Sequence, residues 1–316
     1  MKTSHRNYIL SDRLLSDELY YYIEAPGSIP VYNFRSNQPD PMYNRNMVKT
    51  RNMPDADRIS VLAATIMLAF TLTRFIEFPV TDLSIQLPGL FLPLQINIYT
   101  VVAFLTAGLT ASGADWLLRD HPALKGQRTF QHWILPALTA WVVGIPLFQF
   151  PLGLMWWVIF AVGGVLLMLV LVAEYIVVDP QDVRQPPAMA GLTAVSFALY
   201  LILAIVLRSS GVRLYVILPA LVMGAGLVSL RTLNLRSHGR WQVFESGAIA
   251  FLIGQMTAAL HYWPLSPVSF GLALLGPTYA LTSMIGSLTE GESLSQVWIA
   301  PTIVLLVSWG IAIWIR

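Results

Sequence analysis

The sequence contains no cysteine among its 316 residues. Disulfide bonds, thiolate metal sites, iron–sulfur clusters and a cysteine nucleophile are therefore excluded. Charged residues are also scarce: they make up 11% of the chain, whereas about a quarter is usual for a soluble domain. Hydrophobic residues make up 56%, and this balance predicts an integral membrane protein. The net charge of +2 does not indicate a nucleic-acid partner, because most basic residues flank apolar segments.

The first 57 residues contain no uninterrupted apolar run, so we expect no cleaved signal peptide. This segment is polar and rich in tyrosine and proline, as in ELYYYIEAPGSIPVYNF. Apolar residues recur in it at mostly helical spacing: Leu10, Leu14, Leu15, Leu19 and Tyr22. It therefore forms either a short amphipathic helix along the membrane surface or a loosely ordered tail. We expect residues 1–57 to be a cytoplasmic arm and residues 58–316 a transmembrane bundle.

Nine apolar segments follow the arm, with lengths that suit a hydrocarbon core about 30 Å thick. They predict an all-α, polytopic transmembrane helical bundle. Only FQFPLG separates the third segment from the fourth, so these two should form a tight helical hairpin. Small residues such as Gly108, Gly163, Gly224, Gly247 and Gly254 should mark close helix packing. The segments are residues 59–78, 97–117, 131–149, 153–176, 187–207, 213–231, 244–262, 267–288 and 296–315.

The distribution of lysine and arginine predicts the orientation of the bundle. Most of these residues lie in the arm and in the alternate loops on its side, whereas the loops and the terminus on the other side contain only Arg208, Arg213 and Arg316. The positive-inside rule then places the N-terminus in the cytoplasm, and an odd number of spans places the C-terminus outside. Tryptophans near the span ends are typical of an interfacial aromatic belt: Trp133, Trp156, Trp157, Trp241, Trp263 and Trp298.

Several charged residues share the predicted cytoplasmic ends of the spans. The stretch LVLVAEYIVVDPQD places Glu174 about one turn inside the fourth span. An unpaired charge in hydrocarbon costs at least about 2.5 kcal/mol, so these groups should face the bundle interior and pair, and we expect Arg231 to pair with Glu174. Such a pair is either static or part of a proton or ion relay. The candidate inner polar cluster comprises Asp115, Arg119, Glu174, Arg231 and Glu245.

A second set of polar residues lies toward the predicted outer side. Arg74 and Glu77 are spaced i, i+3 and should form a local pair. Between the two sets the spans are almost entirely apolar, with Gln255 the clearest polar exception. Polar clusters at both faces are only a weak transporter signature, because transport paths usually have polar groups at the midplane. The candidate outer cluster comprises Arg74, Glu77, Asp82 and His261.

No catalytic motif is present: the sequence lacks HExxH, GxSxG, a Walker loop and a dinucleotide fingerprint. No two histidines share a helix face at the spacing of haem or metal ligands. We therefore expect no catalytic, cofactor-binding or metal-binding residue, and no cofactor. In RDHP, Asp120 and His121 suggest a general base of a lipid-modifying enzyme, but a loop containing Pro122 explains these residues more simply.

Five strings together carry a resemblance to a known family: GADWLLRDHP, FQHWILPALTAWVVG, LVAEYIVVDP, HYWPLSP and GLALLGPTY. As a set they resemble a family of uncharacterised multi-pass bacterial membrane proteins, a domain of unknown function that occurs in the Chloroflexota. The resemblance covers residues 58–310. It implies an all-helical bundle of eight or nine spans in the bacterial plasma membrane, and it implies no activity or functional residue.

Three functions remain open. The protein is a structural or accessory subunit of a membrane complex, a small-solute or ion permease, or an interfacial lipid-acting enzyme; the apolar middle favours the first. Its partners would be the lipid bilayer and other membrane subunits, bound through the arm. The permease hypothesis predicts a water-filled cavity that reaches Gln255 or Glu174. The enzyme hypothesis predicts a headgroup-sized pocket around Asp115, Arg119, His121 and Glu174.

Overall fold

The structure is a computed structural model that describes residues 55–75, 81–87, 90–96, 98–119, 121, 123–124, 129–237 and 239–315. The question of whether the arm forms an amphipathic helix concerns residues 10–22, which lie outside the described residues.

The described chain is almost entirely helical. Eight helices are long and apolar enough to cross a membrane. The helices are α1 (Ala56–Phe75), α2 (Ile98–Leu118), α3 (Ile134–Gln149), α4 (Leu154–Val177), α5 (Gln185–Ser209), α6 (Leu214–Arg236), α7 (Val243–His261), α8 (Pro267–Thr289), the single turn α9 (Leu294–Val297) and α10 (Ile299–Trp314). A 3₁₀ turn, Phe130–His132, precedes α3. The all-α polytopic fold is confirmed.

The ninth predicted span is shorter than expected. Helix α10 has 16 residues, which at 1.5 Å per residue gives about 24 Å, less than a hydrocarbon core of about 30 Å. The short α9 precedes it and Trp298 separates the two. The membrane-spanning helices by length and composition are therefore α1 to α8.

One connection contains strands that the segment pattern did not predict. Between α1 and α2, β1 (Thr81–Leu87) and β2 (Leu90–Ile96) pair antiparallel, with Thr81 opposite Ile96 and Leu87 opposite Leu90. Leucine and isoleucine alternate with other residues in both strands, which is the period-two pattern of a β-strand. This alternation indicates a β-hairpin, which the prediction of an all-helical chain did not include.

Helix α3 packs against α1, α2, α4, α5 and α6, and its side chains belong to two apolar clusters. One cluster joins α1, α2, α3 and α4, and the other joins α3 to α8. Helices α3 and α4 pack against each other across four connecting residues, 150–153, as the FQFPLG spacing predicts. Trp156 is 1% exposed and its Nε1–H donates to the Leu147 carbonyl at 2.9 Å, so its assignment to the aromatic belt was wrong.

Only some of the glycines mark close helix contacts. A Cβ at Gly163, Gly224 or Gly254 would lie 2.3–2.7 Å from a side chain of a neighbouring helix. At Gly108 and Gly247 a Cβ would meet no described atom within 4 Å, so the prediction of close packing was wrong for these two. Gly247 instead lies on the exposed side of α7.

Contacts between helix termini define two ends of the bundle. At one end, the start of α3 meets the C-terminal turns of α4 and α6. We call this the inner end, because the sequence predicts that it faces the cytoplasm. At the other, outer end, the C-terminal turns of α5 and α7 meet the start of α8.

Candidate functional site

The most deeply buried charges of the described chain meet at the inner end. Glu174 lies in the last turn of α4, and Arg231 lies in the last two turns of α6. His132 closes the 3₁₀ turn before α3, and Asn234 follows Arg231 by one helical turn. Glu174 and Arg231 are 1% exposed, Asn234 2% and His132 4%. We call these four residues the Glu174 cluster.

The predicted pair between Glu174 and Arg231 is formed, and it is bidentate. Arg231 Nε donates to Glu174 Oε1 at 3.0 Å, and Nη2 donates to Oε2. His132 Nδ1 lies 2.8 Å from the same Oε2, and Arg231 Nη1 donates to Asn234 Oδ1 at 3.0 Å. Two parallel, charge-assisted hydrogen bonds hold the guanidinium in one orientation against the carboxylate, whose charge neutralises it. This geometry matches the static-pair interpretation, because each carboxylate oxygen already has a donor.

Asp115 and Arg119 form a separate pair at the same end. Arg119 Nη2 and Nε lie 2.7 and 2.8 Å from Asp115 Oδ2, and the Thr129 hydroxyl donates to Oδ1. The Arg119 side chain is 73% exposed, so solvent and headgroups weaken this pair. One described link to the Glu174 cluster runs along the chain, where His132 N–H donates to the Thr129 carbonyl at 2.9 Å.

Glu245 does not join the other members of the candidate inner cluster. It is half-buried in the first turn of α7 and forms no ion pair with a residue that the structure describes. A carboxylate in the first turn of a helix is favoured by the helix dipole. The five predicted residues therefore form one buried pair, one pair whose arginine is largely exposed, and one carboxylate without an ion pair to a described residue.

Four residues with contacts at this end were not part of the candidate inner cluster. One is His132, whose Nδ1 lies 2.8 Å from Glu174 Oε2. Another is Asn234, although its i, i+3 spacing to Arg231 predicts a contact. Arg236 Nε and Nη2 lie 2.8 and 2.9 Å from the carboxylate of Glu290, which follows α8. This last pair is about one-third exposed, and it joins α6 to the end of α8.

His121 forms no described hydrogen bond with Asp115, Arg119 or Glu174, the other residues of the enzyme hypothesis. It is 4% exposed, its Nδ1 accepts a hydrogen bond from the Ala123 N–H at 3.2 Å, and its ring lies edge-on to Tyr175. Burial is the largest influence on this imidazole and lowers its pKa; the Asp179 charge opposes the shift. Asp120 lies outside the described residues. The described contacts of His121 are those of a packed neutral histidine.

The candidate outer cluster is only partly described. Arg74 is half-buried in the last turn of α1, Glu77 lies outside the described residues, and Asp82 is described only as a position in β1, opposite Gln95. His261 is better defined, because its carbonyl accepts a hydrogen bond from Arg208 Nη1 at 3.0 Å. The structure therefore does not test the Arg74–Glu77 pair.

Arg208 also lies at the outer end, although the candidate outer cluster did not include it. Its Nη2 donates to the Trp263 carbonyl at 3.2 Å, and its guanidinium lies 5.2 Å from the centre of the Phe270 ring. An arginine in this position is stabilised by carbonyl dipoles and a π-system rather than by a carboxylate.

Two cavities lie beside the Glu174 cluster. The first is a half-open aromatic groove of about 400 Å³, lined by Phe130, Gln131, Leu230, Trp241 and Val243. The second, of about 190 Å³, includes Gln131, His132, Arg231 and Asn234 in its lining, and we call it the polar cavity. Among the described residues, no group of three or more histidine and acidic side chains is placed to hold a metal ion.

The sequence comparisons assign a family without an activity. A family model described as a protein of unknown function, DUF5656, matches residues 78–315. The chain belongs to this family. The matched region begins after α1 and includes the strands, α2 to α10 and both cavities. No curated protein and no solved structure matches the chain. The resemblance drawn from the five strings is confirmed at the level of the family.

Proposed function

We propose that the protein is a structural subunit of an assembly in the bacterial plasma membrane, in which a second copy of the chain binds through α7. The observation that carries this proposal is Gln255. Its side chain is exposed on α7, and it forms no hydrogen bond with any residue that the structure describes.

The depth of Gln255 makes its exposure costly. At 1.5 Å per residue it lies about 9 Å from the end of α7 at His261 and about 18 Å from its start at Val243. Trp241 and Trp263 flank the helix and are both exposed, as expected of residues at the two membrane interfaces. Gln255 therefore lies inside the predicted hydrocarbon core, where an amide without a hydrogen-bond partner costs roughly 2–7 kcal/mol.

The surface around Gln255 combines this amide with small residues. We call it the α7 face; its exposed residues are Phe244, Gly247, Ala248, Phe251, Leu252, Gln255 and Ala259. Small residues allow a second helix to approach closely, and a polar side chain between them can bond across the contact. Helix α4 offers a contrast, because its exposed residues from Leu154 to Leu169 are all apolar or aromatic and suit lipid.

A second copy of the chain is the partner that this chemistry fits. An amide side chain carries both a donor and an acceptor. Two Gln255 side chains related by a twofold axis along the membrane normal therefore satisfy each other, because one surface patch is self-complementary about such an axis. Interhelical hydrogen bonds of this kind contribute roughly 0.6–2 kcal/mol, and close packing of the α7 face adds to that.

The permease hypothesis is less well supported by the same observation. It required a water-filled cavity that reaches Gln255 or Glu174, but Gln255 lies on the outside of the bundle. The polar cavity beside Glu174 is lined by residues from the helix termini and their loops, between positions 123 and 239. A location at one end is better suited to a site at the membrane interface than to a transport path.

The absence of cysteine allows a direct test. Ala248→Cys or Ala259→Cys places a single cysteine on the α7 face, and this cysteine is the only thiol in the chain. Oxidation in native membranes should then yield a disulfide-linked product of twice the chain mass. Adding Gln255→Leu should reduce that product at least several-fold. Val162→Cys, on the exposed lipid-facing side of α4, is the matched control and should give little product.

Equal products from the α4 and α7 positions would indicate random collision and would refute the proposal. A product of another mass would show that a different protein occupies the α7 face, and this too would refute pairing between copies. Retention of the full yield in Gln255→Leu would remove the observation on which the proposal rests.

A further inference from the structure

The two cavities at the inner end are divided by a single 3₁₀ turn. Phe130 lines the aromatic groove, His132 lines the polar cavity, and Gln131 between them lines both. The same division recurs in α6, where Leu230 lines the groove and its neighbour Arg231 lines the cavity. The two spaces therefore adjoin along two separate segments. At these segments the groove is lined by apolar side chains and the polar cavity by His132 and Arg231, although apolar residues line much of the rest of that cavity.

We propose that this pair of cavities binds one glycerophospholipid, with its phosphodiester in the polar cavity and an acyl chain in the aromatic groove. The inference is independent of the proposed pairing of copies, because Val243 is the one α7 residue among the cavity-lining residues and it is not part of the α7 face.

The polar cavity offers a hydrogen-bond donor that the described residues leave unused. An arginine carries five N–H donors. Arg231 directs two of them to Glu174 and one to Asn234 Oδ1, and its Nη2 also lies 3.3 Å from His132 Nδ1, so one Nη1 N–H remains without a described partner. Arg231 is 1% exposed and lines the cavity, where this donor has no bulk water to bond. An acceptor from a ligand, such as a phosphodiester oxygen, would complete this set.

The side-chain amides of the lining extend the same chemistry. Gln131 Nε2 lies 3.3 Å from His132 Nε2, and Asn234 Nδ2 reaches the Arg240 carbonyl only at 3.5 Å. Both amides line the cavity and can also donate to a phosphate oxygen. The cavity volume of about 190 Å³ is well above the roughly 10–15 Å³ that admits one water. The site is therefore large enough for a polar group rather than a single water.

The groove supplies the apolar part of the same ligand site. Its wall is built from aromatic rings: Phe130 lies 5.5 Å from Trp241 and 5.2 Å from Trp133, measured between ring centres. Phe130, Trp241 and Val243 are exposed, so the groove opens at the surface of the bundle. The inner end is predicted to lie at the cytoplasmic interface, where the headgroup of a lipid meets its acyl chains. A molecule that is polar at one end and apolar at the other fits both spaces at once.

Thermal unfolding of the purified full-length protein in detergent tests this site. Dilauroyl phosphatidylglycerol should raise the melting temperature in a saturable way, because a ligand that binds only the folded state stabilises it. Dilauroylglycerol, which lacks the phosphate, and sodium phosphate, which lacks the chains, should each have a much smaller effect. Gln131→Leu and Trp241→Ala should each weaken the apparent affinity by about tenfold, equivalent to about 1.4 kcal/mol.

Trp314→Ala provides the matched control, because Trp314 is 85% exposed at the far end of α10. It should leave the lipid titration unchanged. Trp241 is also exposed, so its removal leaves the core intact and the variant should fold. Equal stabilisation by dilauroylglycerol would indicate a general detergent-like effect and would overturn the proposal. Full stabilisation by sodium phosphate would indicate an anion site without an acyl chain, and titrations unaffected by both substitutions would place the lipid elsewhere; either result would overturn it.

Discussion

Arg231 and Arg208 both lie near the end of an apolar helix, but the two ends of the bundle stabilise them in different ways. At the inner end, Arg231 is almost fully buried and is neutralised by Glu174. At the outer end, Arg208 is half-buried and is held by the carbonyls of His261 and Trp263 and by the Phe270 ring. No carboxylate among the described residues bonds to Arg208.

The difference follows from burial. A fully buried guanidinium loses its hydration and needs an opposite charge, whereas a half-buried one keeps contact with water and headgroups and can be stabilised by dipoles. The buried Glu174–Arg231 pair should therefore respond strongly to the loss of one charge, whereas the half-buried Arg208 should respond less. The four predictions that follow test this contrast, from the largest expected effect to the smallest.

Replacing Glu174 with glutamine should produce the largest loss of stability. The variant leaves Arg231 charged and buried without a counter-charge, and such a loss typically costs about 3–5 kcal/mol. Glu245→Gln is the matched control, because this carboxylate is half-buried and has no described ion pair, so its removal should cost less than about 0.5 kcal/mol. The free energy of unfolding in mixed detergent micelles measures both. Similar losses for the two variants would show that burial of the pair has no special energetic role.

Replacing Arg208 with leucine should have a moderate effect. The variant loses hydrogen bonds to two carbonyls and one cation–π contact, which together are worth about 1–2 kcal/mol at a half-buried site. Arg213→Leu, at an exposed position of the same end, is the control and should change stability little. The free energy of unfolding in mixed detergent micelles measures both variants. A loss as large as that of Glu174→Gln would contradict the proposed difference between the two ends.

The pair between Arg236 and Glu290 should contribute less, because both side chains are about one-third exposed. Glu290→Gln should cost about 0.5 kcal/mol, and the cost should disappear in 1 M salt, where the Debye length is about 3 Å. The cost of Glu174→Gln should persist in the same salt, since a buried pair is screened much less. A salt-independent effect at Glu290 would mean that this pair behaves as a buried one.

The smallest expected effect is a pH dependence from His121. Burial lowers the pKa of this imidazole in the folded state below its ordinary value of 6.5. The unfolded chain therefore binds a proton that the folded chain does not, and stability should fall as the pH drops below about 6.5. In His121→Asn, which keeps a hydrogen-bond acceptor near Ala123, this part of the decline should disappear. Unfolding curves between pH 7 and pH 5 measure the difference, and identical slopes for variant and wild type would refute the assignment.

The helices and the Glu174–Arg231 pair could be predicted because membrane physics leaves few alternatives. A run of about 20 apolar residues forms a helix, since its backbone has no other hydrogen-bond partner in lipid. An acid and a base at the same predicted depth must meet for a similar reason. His132 could not be predicted as the third member, because its contact depends on how α3 is rotated about its axis. Forty-two residues separate it from Glu174, and no local pattern specifies that rotation.

The outer side was harder to predict from sequence. The hairpin between α1 and α2 carried an alternating pattern, but its apolar composition also suits a membrane-embedded loop. Arg208 bonds mainly to backbone carbonyls, and every residue has a carbonyl, so no residue type identifies its partners. The outward orientation of the Gln255 side chain could not be predicted either, because polar residues in a span usually face the bundle interior.

A double-mutant cycle at Glu174 and Arg231 tests the central claim most directly. The free energies of unfolding of Glu174→Gln, Arg231→Gln and the double variant are compared with that of the wild type. If the two charges are buried as a static pair, the double variant costs less than the sum of the single ones, with a coupling energy of about 1–3 kcal/mol. Losses that add, with no coupling beyond about 0.5 kcal/mol, would show that the two charges do not depend on each other and would contradict the account.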